Sequence, residues 1–202
     1  MREIRFHQGF ALNRDRLSKM VQSIATERDT SDEAIGAQLG VNPYMIEGLR
    51  GWLYKTGLGS GTSKQHVLSP FGMLVAQYDP DLRQPGTLWL LHYYLSSQHE
   101  ERAEVWYRCF NEFLDPGKHF TGDELQSYVA RTNQNLPTNK AGITSDTNEL
   151  LKMYTKSTGL GELRVLVPNG AKTYITGSPA TPDPYIVGYV VFDSWPRRFG
   201  AA

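Results

Sequence analysis

TSDEAIGAQLGVNPYMIEGLRGWLYKTGLGSGTSKQHVLSPFG, residues 30–72, decides the fold. Its first four residues, Thr30, Ser31, Asp32 and Glu33, have the form of a capping box: a hydroxyl, then a carboxylate three positions on. The short apolar helix they open, residues 34–39, stops at Gly40. Asn42 then caps a second helix with Pro43 at its first position, a site where the missing proline N–H costs nothing. That helix runs over residues 44–55 and ends at Gly57. Ile46, Leu49 and Leu53 make its core stripe, and Trp52 is expected at the edge. Residues 62–69 read as a polar β-ribbon with Lys64 and His66 at its tip. Helix, tight turn, helix, ribbon is the order of a winged helix-turn-helix, so nucleic-acid binding is the first expectation. Asn42, Tyr44, Arg50, Lys55, Lys64 and His66 are the expected DNA contacts. Gly48 and Gly51 are expected to let backbone approach closely. Glycines 57, 59 and 61 lack the lysine of a phosphate-binding loop and read as a flexible lead into the wing.

Composition sets limits around this reading. The 202 residues are 40% hydrophobic and 21% charged, an ordinary globular composition. No apolar run approaches the ~20 residues that span a bilayer. The opening residues show no apolar signal-peptide core, and the single cysteine, Cys109, excludes an internal disulfide; both fit a cytoplasmic protein. Basic and acidic residues balance at 21 each. That weakens backbone affinity for nucleic acid, which rests on Lys and Arg, and favours help from partners.

Outward from the helix-turn-helix, residues 4–10 read as extended. A helix follows over residues 14–26, with Leu17, Met20, Val21 and Ile24 on one stripe. These complete an N-terminal winged domain, residues 1–80. Residues 88–95 are apolar nearly all round and predict a buried helix. A second aromatic helix over residues 102–114 pairs with it in a central hairpin, residues 81–117. His92, Cys109 and the four tryptophans, Trp195 included, are expected in the core. In residues 118–202, Thr121 to Glu124 form another capping box, and residues 133–144 read as a loop. Ser145 or Thr144 caps a further helix, and residues 163–167 and 172–176 alternate as strands around Pro168, Asn169 and Gly170. This is a second small winged-helix-like α+β region. The final run, residues 185–195, leans to helix because Asp183 and Pro184 make a start signal. The expected class is mainly α with small β.

Several stretches taken together resemble a known family. They are residues 39–58, then Ser69 to Gly72, then Thr87-Leu88-Trp89-Leu90-Leu91-His92. Trp106-Tyr107, Phe110-Asn111, Ser145-Asp146-Thr147-Asn148 and Tyr154 follow in order. They resemble a bacterial family named only as a domain of unknown function and encoded beside DNA phosphorothioation genes, whose closest named type is SspB-like. The resemblance spans roughly residues 4–195, and the run 87–92 is its most specific part. It implies double-stranded DNA recognition and single-strand nicking before sulfur incorporation, within an antiviral restriction-modification defence. The implied partners are a cysteine desulfurase, an ATPase and a sulfur-transferring enzyme. Members tend to continue past the point where this chain stops, so a short or trimmed chain is implied. The competing readings are a non-enzymatic winged-helix DNA-binding regulator or scaffold, and a protein-interaction adaptor.

Phosphodiester hydrolysis needs a nucleophile, a stabiliser for developing charge and often Mg²⁺ or Mn²⁺ held by carboxylates. Three constellations suit it. Asp79 and Asp81, joined by Glu100, Glu101 or Glu104, offer metal-binding carboxylates; the plainer reading is turn chemistry around Pro80. His7 with Arg14 and Arg16 offers a base and phosphate-steadying cations; the plainer reading is a packed histidine and solvated arginines. Ser145, Asp146 and Lys152 offer an anion site at a helix start, against simple capping. The scattered histidines and lone cysteine predict no zinc site.

Overall fold

The computed structural model describes residues 4–97, 102–132 and 140–200. The chain is mainly helical with two small antiparallel sheets. Helix α1 (Arg14–Thr26) is capped by Asn13, and its stripe of Leu17, Met20, Val21 and Ile24 is buried. It packs against both α2 (Asp32–Leu39) and α3 (Pro43–Lys55). The turn between those two is made by Gly40 in the left-handed conformation at φ 63°, with Val41 N–H returning to Gly36 O at 3.0 Å. Strands β1 (Gly59–Thr62) and β2 (Gln65–Leu68) follow α3 as an antiparallel hairpin. This order is compatible with the winged helix-turn-helix.

The details shift in three places. The cap of α2 is Ser31, whose hydroxyl accepts from Ala34 N–H at 3.2 Å, one residue later than the capping box predicts. Thr30 turns away to hold the wing. The glycine-rich lead is itself a strand: a Cβ on Gly59 would sit 2.7 Å from Val67 O, and one on Gly61 2.2 Å from Gln65 O. The strands therefore lie too close for side chains there. Beyond the hairpin an unexpected helix, α4 (Pro70–Tyr78), forms because Ser69 caps it through Gly72 N–H at 2.9 Å and Pro70 takes the first position.

Helix α5 (Pro85–Ser96) and α6 (Glu104–Arg108) pack as the expected aromatic pair. The second does not continue as α-helix. It passes into a π-helical turn, Cys109–Phe113, closed by Leu114 N–H on Cys109 O at 3.0 Å. Cys109 and Phe113, at its two ends, both face the core. Thr121 and Glu124 form the reciprocal capping box at the start of α7 (Gly122–Thr132). Helix α8 begins at Lys140, so residues 140–144 are helix rather than loop and Ser145 caps nothing; residues 133–139 lie outside the described residues. A 3₁₀ turn (Gly161–Leu163) replaces the start of the next predicted strand. Strands β3 (His119–Thr121), β4 (Leu166–Pro168) and β5 (Thr173–Thr176) form a sheet in the order β3-β5-β4. Helix α9 (Pro184–Phe199) is capped by Asp183 and rests on α5. Trp195 on it is 51% exposed, not core, while Ile186 and Val190 are the partly buried residues that α9 packs on the core.

One buried cluster runs from Phe6 to Leu166. At its centre lies the largest departure from the sequence reading. Residues 4–9 are turns, not a strand, with Gln8 N–H on Arg5 O at 3.0 Å and Phe10 N–H on His7 O at 2.8 Å. They fold onto α3, where the Trp52 indole N–H donates to Phe10 O at 2.9 Å. Trp52 is fully buried as a result, not at an edge. The close approach needs Gly48 and Gly51: a Cβ would lie 2.7 Å from His7 O at the first and 2.2 Å from Phe6 O at the second. Those glycines admit the chain's own N-terminal segment rather than a ligand.

Two measurements test this packing. Alanine at position 51 gains up to ~1 kcal/mol of helix propensity but forces the Phe6 backbone away. The expected net loss is about 1–3 kcal/mol in denaturant unfolding of Gly51→Ala; a variant at least as stable as the parent contradicts the docking. His92, hydrogen-bonded to the Tyr154 hydroxyl at 2.7 Å, has its pKa lowered by burial from 6.5 to about 4. Between those values the unfolded chain binds more protons than the folded one, so stability falls as pH falls from 6.5 toward 4. The loss is at most roughly 3 kcal/mol, an upper bound because the residue keeps some contact with solvent. A His92→Gln variant loses that part of the acid sensitivity; an unchanged profile contradicts the assignment.

Candidate nucleic-acid interface

The six predicted contact residues separate into two groups. Asn42 and Tyr44 stand exposed at the start of α3, Tyr44 at 72%. Asn42 also works as the cap, accepting from Met45 N–H at 2.9 Å. Lys64 is exposed at the wing turn. The other three face inward or are engaged. Lys55 is buried against the core side of α3. His66 is 1% exposed because, in a two-stranded ribbon, alternate side chains take opposite faces, and Gln65 and Val67 take the outer one. Arg50 is paired with Asp32 and lies 3.8 Å from Glu47.

Arg50 and His66 meet in one cluster. His66 Nε2 lies 2.9 Å from Asp32 Oδ1, and His66 Nδ1 lies 2.7 Å from the Tyr54 hydroxyl. Arg50 pairs with the other oxygen of Asp32. The tautomer that satisfies all three has Tyr54 donating to Nδ1 and Nε2–H donating to the carboxylate. The cluster is held by the Thr30 side chain and by backbone bonds. Thr30 Oγ1 donates to His66 O at 2.8 Å and accepts from His66 N–H at 3.1 Å, while Asp32 N–H donates to Ser63 O at 2.8 Å. The start of α2, the third turn of α3 and the wing are thus fastened at one point. Burial pushes the Tyr54 phenol up to about 12, against the field of Arg50, which lowers it. Carboxylate, imidazole and hydroxyl in line is the connectivity that lets a base take a proton from a nucleophile.

The catalytic candidates are regrouped by the fold. His7 is wholly buried and bonds Asp146 Oδ1 through Nε2 at 3.0 Å, while its Nδ1 accepts from Gly9 N–H at 3.0 Å. Asp146 also accepts from Arg5 N–H at 3.0 Å, and burial raises its pKa despite His7 and Arg5. Asp146 sits in the second turn of α8, not at its start, which removes the capping role. Lys152, exposed, pairs with Glu149 at 2.7 Å. Asp79 is buried and accepts from Arg83 and Gln84 N–H at 2.9 and 3.0 Å, the turn chemistry of an Asp-Pro step.

Asp81 and Arg14 line one open cleft of about 430 Å³ with Asp15, Arg83 and Glu162. Arg14 is committed there: it donates to Leu82 O at 3.1 Å, to Ser157 O and to Glu162. Arg16 is exposed and does not line that cleft. Glu104 is buried between Arg102 and Arg108, with contacts of 2.7 Å from each, and does not join Asp79. Glu100 and Glu101 lie outside the described residues. Among the described residues no three His, Cys, Asp or Glu side chains gather where a metal ion would bind, and no helix is long and apolar enough to cross a membrane.

Asp32 and Tyr54 are the members of the wing cluster that residue patterns miss. Asp32 reads as ordinary first-turn acid and Tyr54 as a flank of the core stripe. Their partnership depends on His66 pointing inward, which follows only once the ribbon register is fixed at Gly61 opposite His66.

Comparison with known proteins agrees with this architecture. The family model described as a protein of unknown function (DUF4007) matches residues 5–167. A magnesium ion-bound SspB crystal structure superposes with a TM-score of 0.81 at 22% identity, covering 97% of this chain and 66% of that one. A second SspB crystal structure gives 0.78 at 23% identity, covering 96% and 66%. At that identity the likeness is one of fold, and this chain spans about 66% of the length of the SspB chains it matches. Comparison with curated proteins gave no match.

Proposed function

The chain belongs to the DUF4007 family, and from that premise we propose that it is a DNA-binding component of a bacterial DNA phosphorothioation system that nicks one strand of the duplex before sulfur is incorporated. The observation that carries the reading is the pairing of an SspB-like fold with a helix-turn-helix whose second helix begins in exposed Asn42 and Tyr44 and whose wing ends in exposed Lys64. In this reading the helix start meets base edges and the wing lysine meets phosphate. A neutral chain with Arg50 already paired gains only modest backbone affinity. The proposed partners, a cysteine desulfurase, an ATPase and a sulfur-transferring enzyme, then help hold it on DNA in the cytoplasm. Mg²⁺ or Mn²⁺ is proposed as the supporting ion, although among the described residues no three His, Cys, Asp or Glu side chains gather to hold it. The pairing of Arg50 favours one alternative, a winged-helix scaffold that binds DNA without cutting it.

Incubation of supercoiled plasmid with the protein and Mg²⁺ or Mn²⁺ is expected to yield open circles. Plasmid that stays supercoiled under both ions contradicts nicking, and retained duplex binding in that case supports the scaffold. Duplex affinity measured against salt is expected to fall for Lys64→Ala on every sequence, with a salt slope smaller by ~1. An unchanged slope contradicts wing contact.

A further inference from the structure

The wing cluster contains more than fastening requires. Joining α2 to the wing is already achieved by the Thr30 hydroxyl on the His66 backbone and by the backbone bonds His66 N–H to Thr30 O and Asp32 N–H to Ser63 O. The side chains add a separate line of three groups, Asp32 Oδ1 to His66 Nε2 at 2.9 Å and His66 Nδ1 to Tyr54 Oη at 2.7 Å. Hydroxyl, base and orienting carboxylate stand in the order of an activated nucleophile. The imidazole is fixed because Thr30 bonds both the N–H and the C=O of His66. Asp32 is fixed by Arg50. Tyr54 is the partly exposed end of the line, on the same helix as Asn42 and Tyr44 at its start.

We propose that Tyr54 is the nucleophile of the nicking reaction, attacking a backbone phosphorus of DNA held between α3 and the wing, with His66 as its general base and Asp32 as the residue that positions His66. This rests on the nicking function proposed above. A bond forms between Tyr54 Oη and phosphorus, and the bond from phosphorus to one ribose oxygen breaks. The phenol proton moves to His66 Nδ1. The imidazolium so formed is stabilised by the Asp32 carboxylate, and it returns the proton to the leaving ribose oxygen. The product is a phosphotyrosyl ester on one strand end and a hydroxyl on the other, with no change of oxidation state. A phenol pushed up to about 12 holds its proton at neutral pH, which is why a base in contact with it matters.

The test uses plasmid carrying ³²P in its backbone, quenched in denaturant during nicking and digested with nuclease. Label is expected on the protein, on the peptide that contains Tyr54. Tyr54→Phe, which removes only the hydroxyl, is expected to bind duplex as before but to form no labelled protein and no open circles. His66→Gln is expected to slow both by roughly 10²-fold or more. Two outcomes overturn the assignment while leaving the nicking function standing: open circles without labelled protein, or Tyr54→Phe nicking at the parent rate. A parent protein that leaves plasmid supercoiled overturns the nicking function, and the assignment with it.

Discussion

The hydrogen bond from His7 to Asp146, 3.0 Å long and shielded from water, is the contact on which the arrangement turns. It joins residues 139 positions apart and seats the N-terminal turn between α3 and α8. The His7 ring stacks on Trp52 at 5.6 Å, and Phe6, Trp52 and Trp106 meet edge to face or tilted around it. Every polar atom of the imidazole is used, which is what allows a histidine to lie at 0% exposure. Removing one partner leaves a buried polar group without its hydrogen bond, at a cost on the order of 1–3 kcal/mol. The pair's value is in specifying which surfaces meet.

That seating decides what α3 can offer. One side is covered by residues 6–10 through Gly48 and Gly51. Further along, Arg50, Tyr54 and His66 are drawn into the cluster around Asp32. Glu47 accepts from the Gln8 side chain at 3.0 Å. The first turn of the helix and the tip of the wing are exposed and carry a polar amide, a phenol and a lysine, and Tyr54 is partly exposed further along α3. The balanced charge of the sequence fits a surface that carries no long run of cations.

The helix-turn-helix was legible because its signals are local. Gly40, Asn42 and Pro43 set a turn and a helix start that no distant contact alters, and the same holds for Thr121 with Glu124 and for Asp183 with Pro184. Ser69 with Pro70 carried an equally plain start signal for α4, obscured by its place at the end of the wing. Elsewhere the sequence misled where tertiary contacts outweighed local preference. Residues 4–10 alternate like a strand, yet the bonds to Trp52, Asp146 and Glu47 bend them into turns. Ser145 and Asp146 look like a cap, but α8 starts a turn earlier and spends Asp146 on His7. The candidate cluster was half visible: Arg50 and His66 stood out as basic residues, whereas their carboxylate and hydroxyl partners came from separate elements with no spacing to mark them.

Amide hydrogen exchange of the protein with and without duplex DNA tests the central claim most directly, because it reports where DNA sits without presupposing any chemistry. Docking through the open ends of the unit predicts slowed exchange over residues 42–47 and 60–67, at the start of α3 and in the wing. Protection confined to the cleft around Asp81, Arg83 and Ser157, with the wing unchanged, would contradict it.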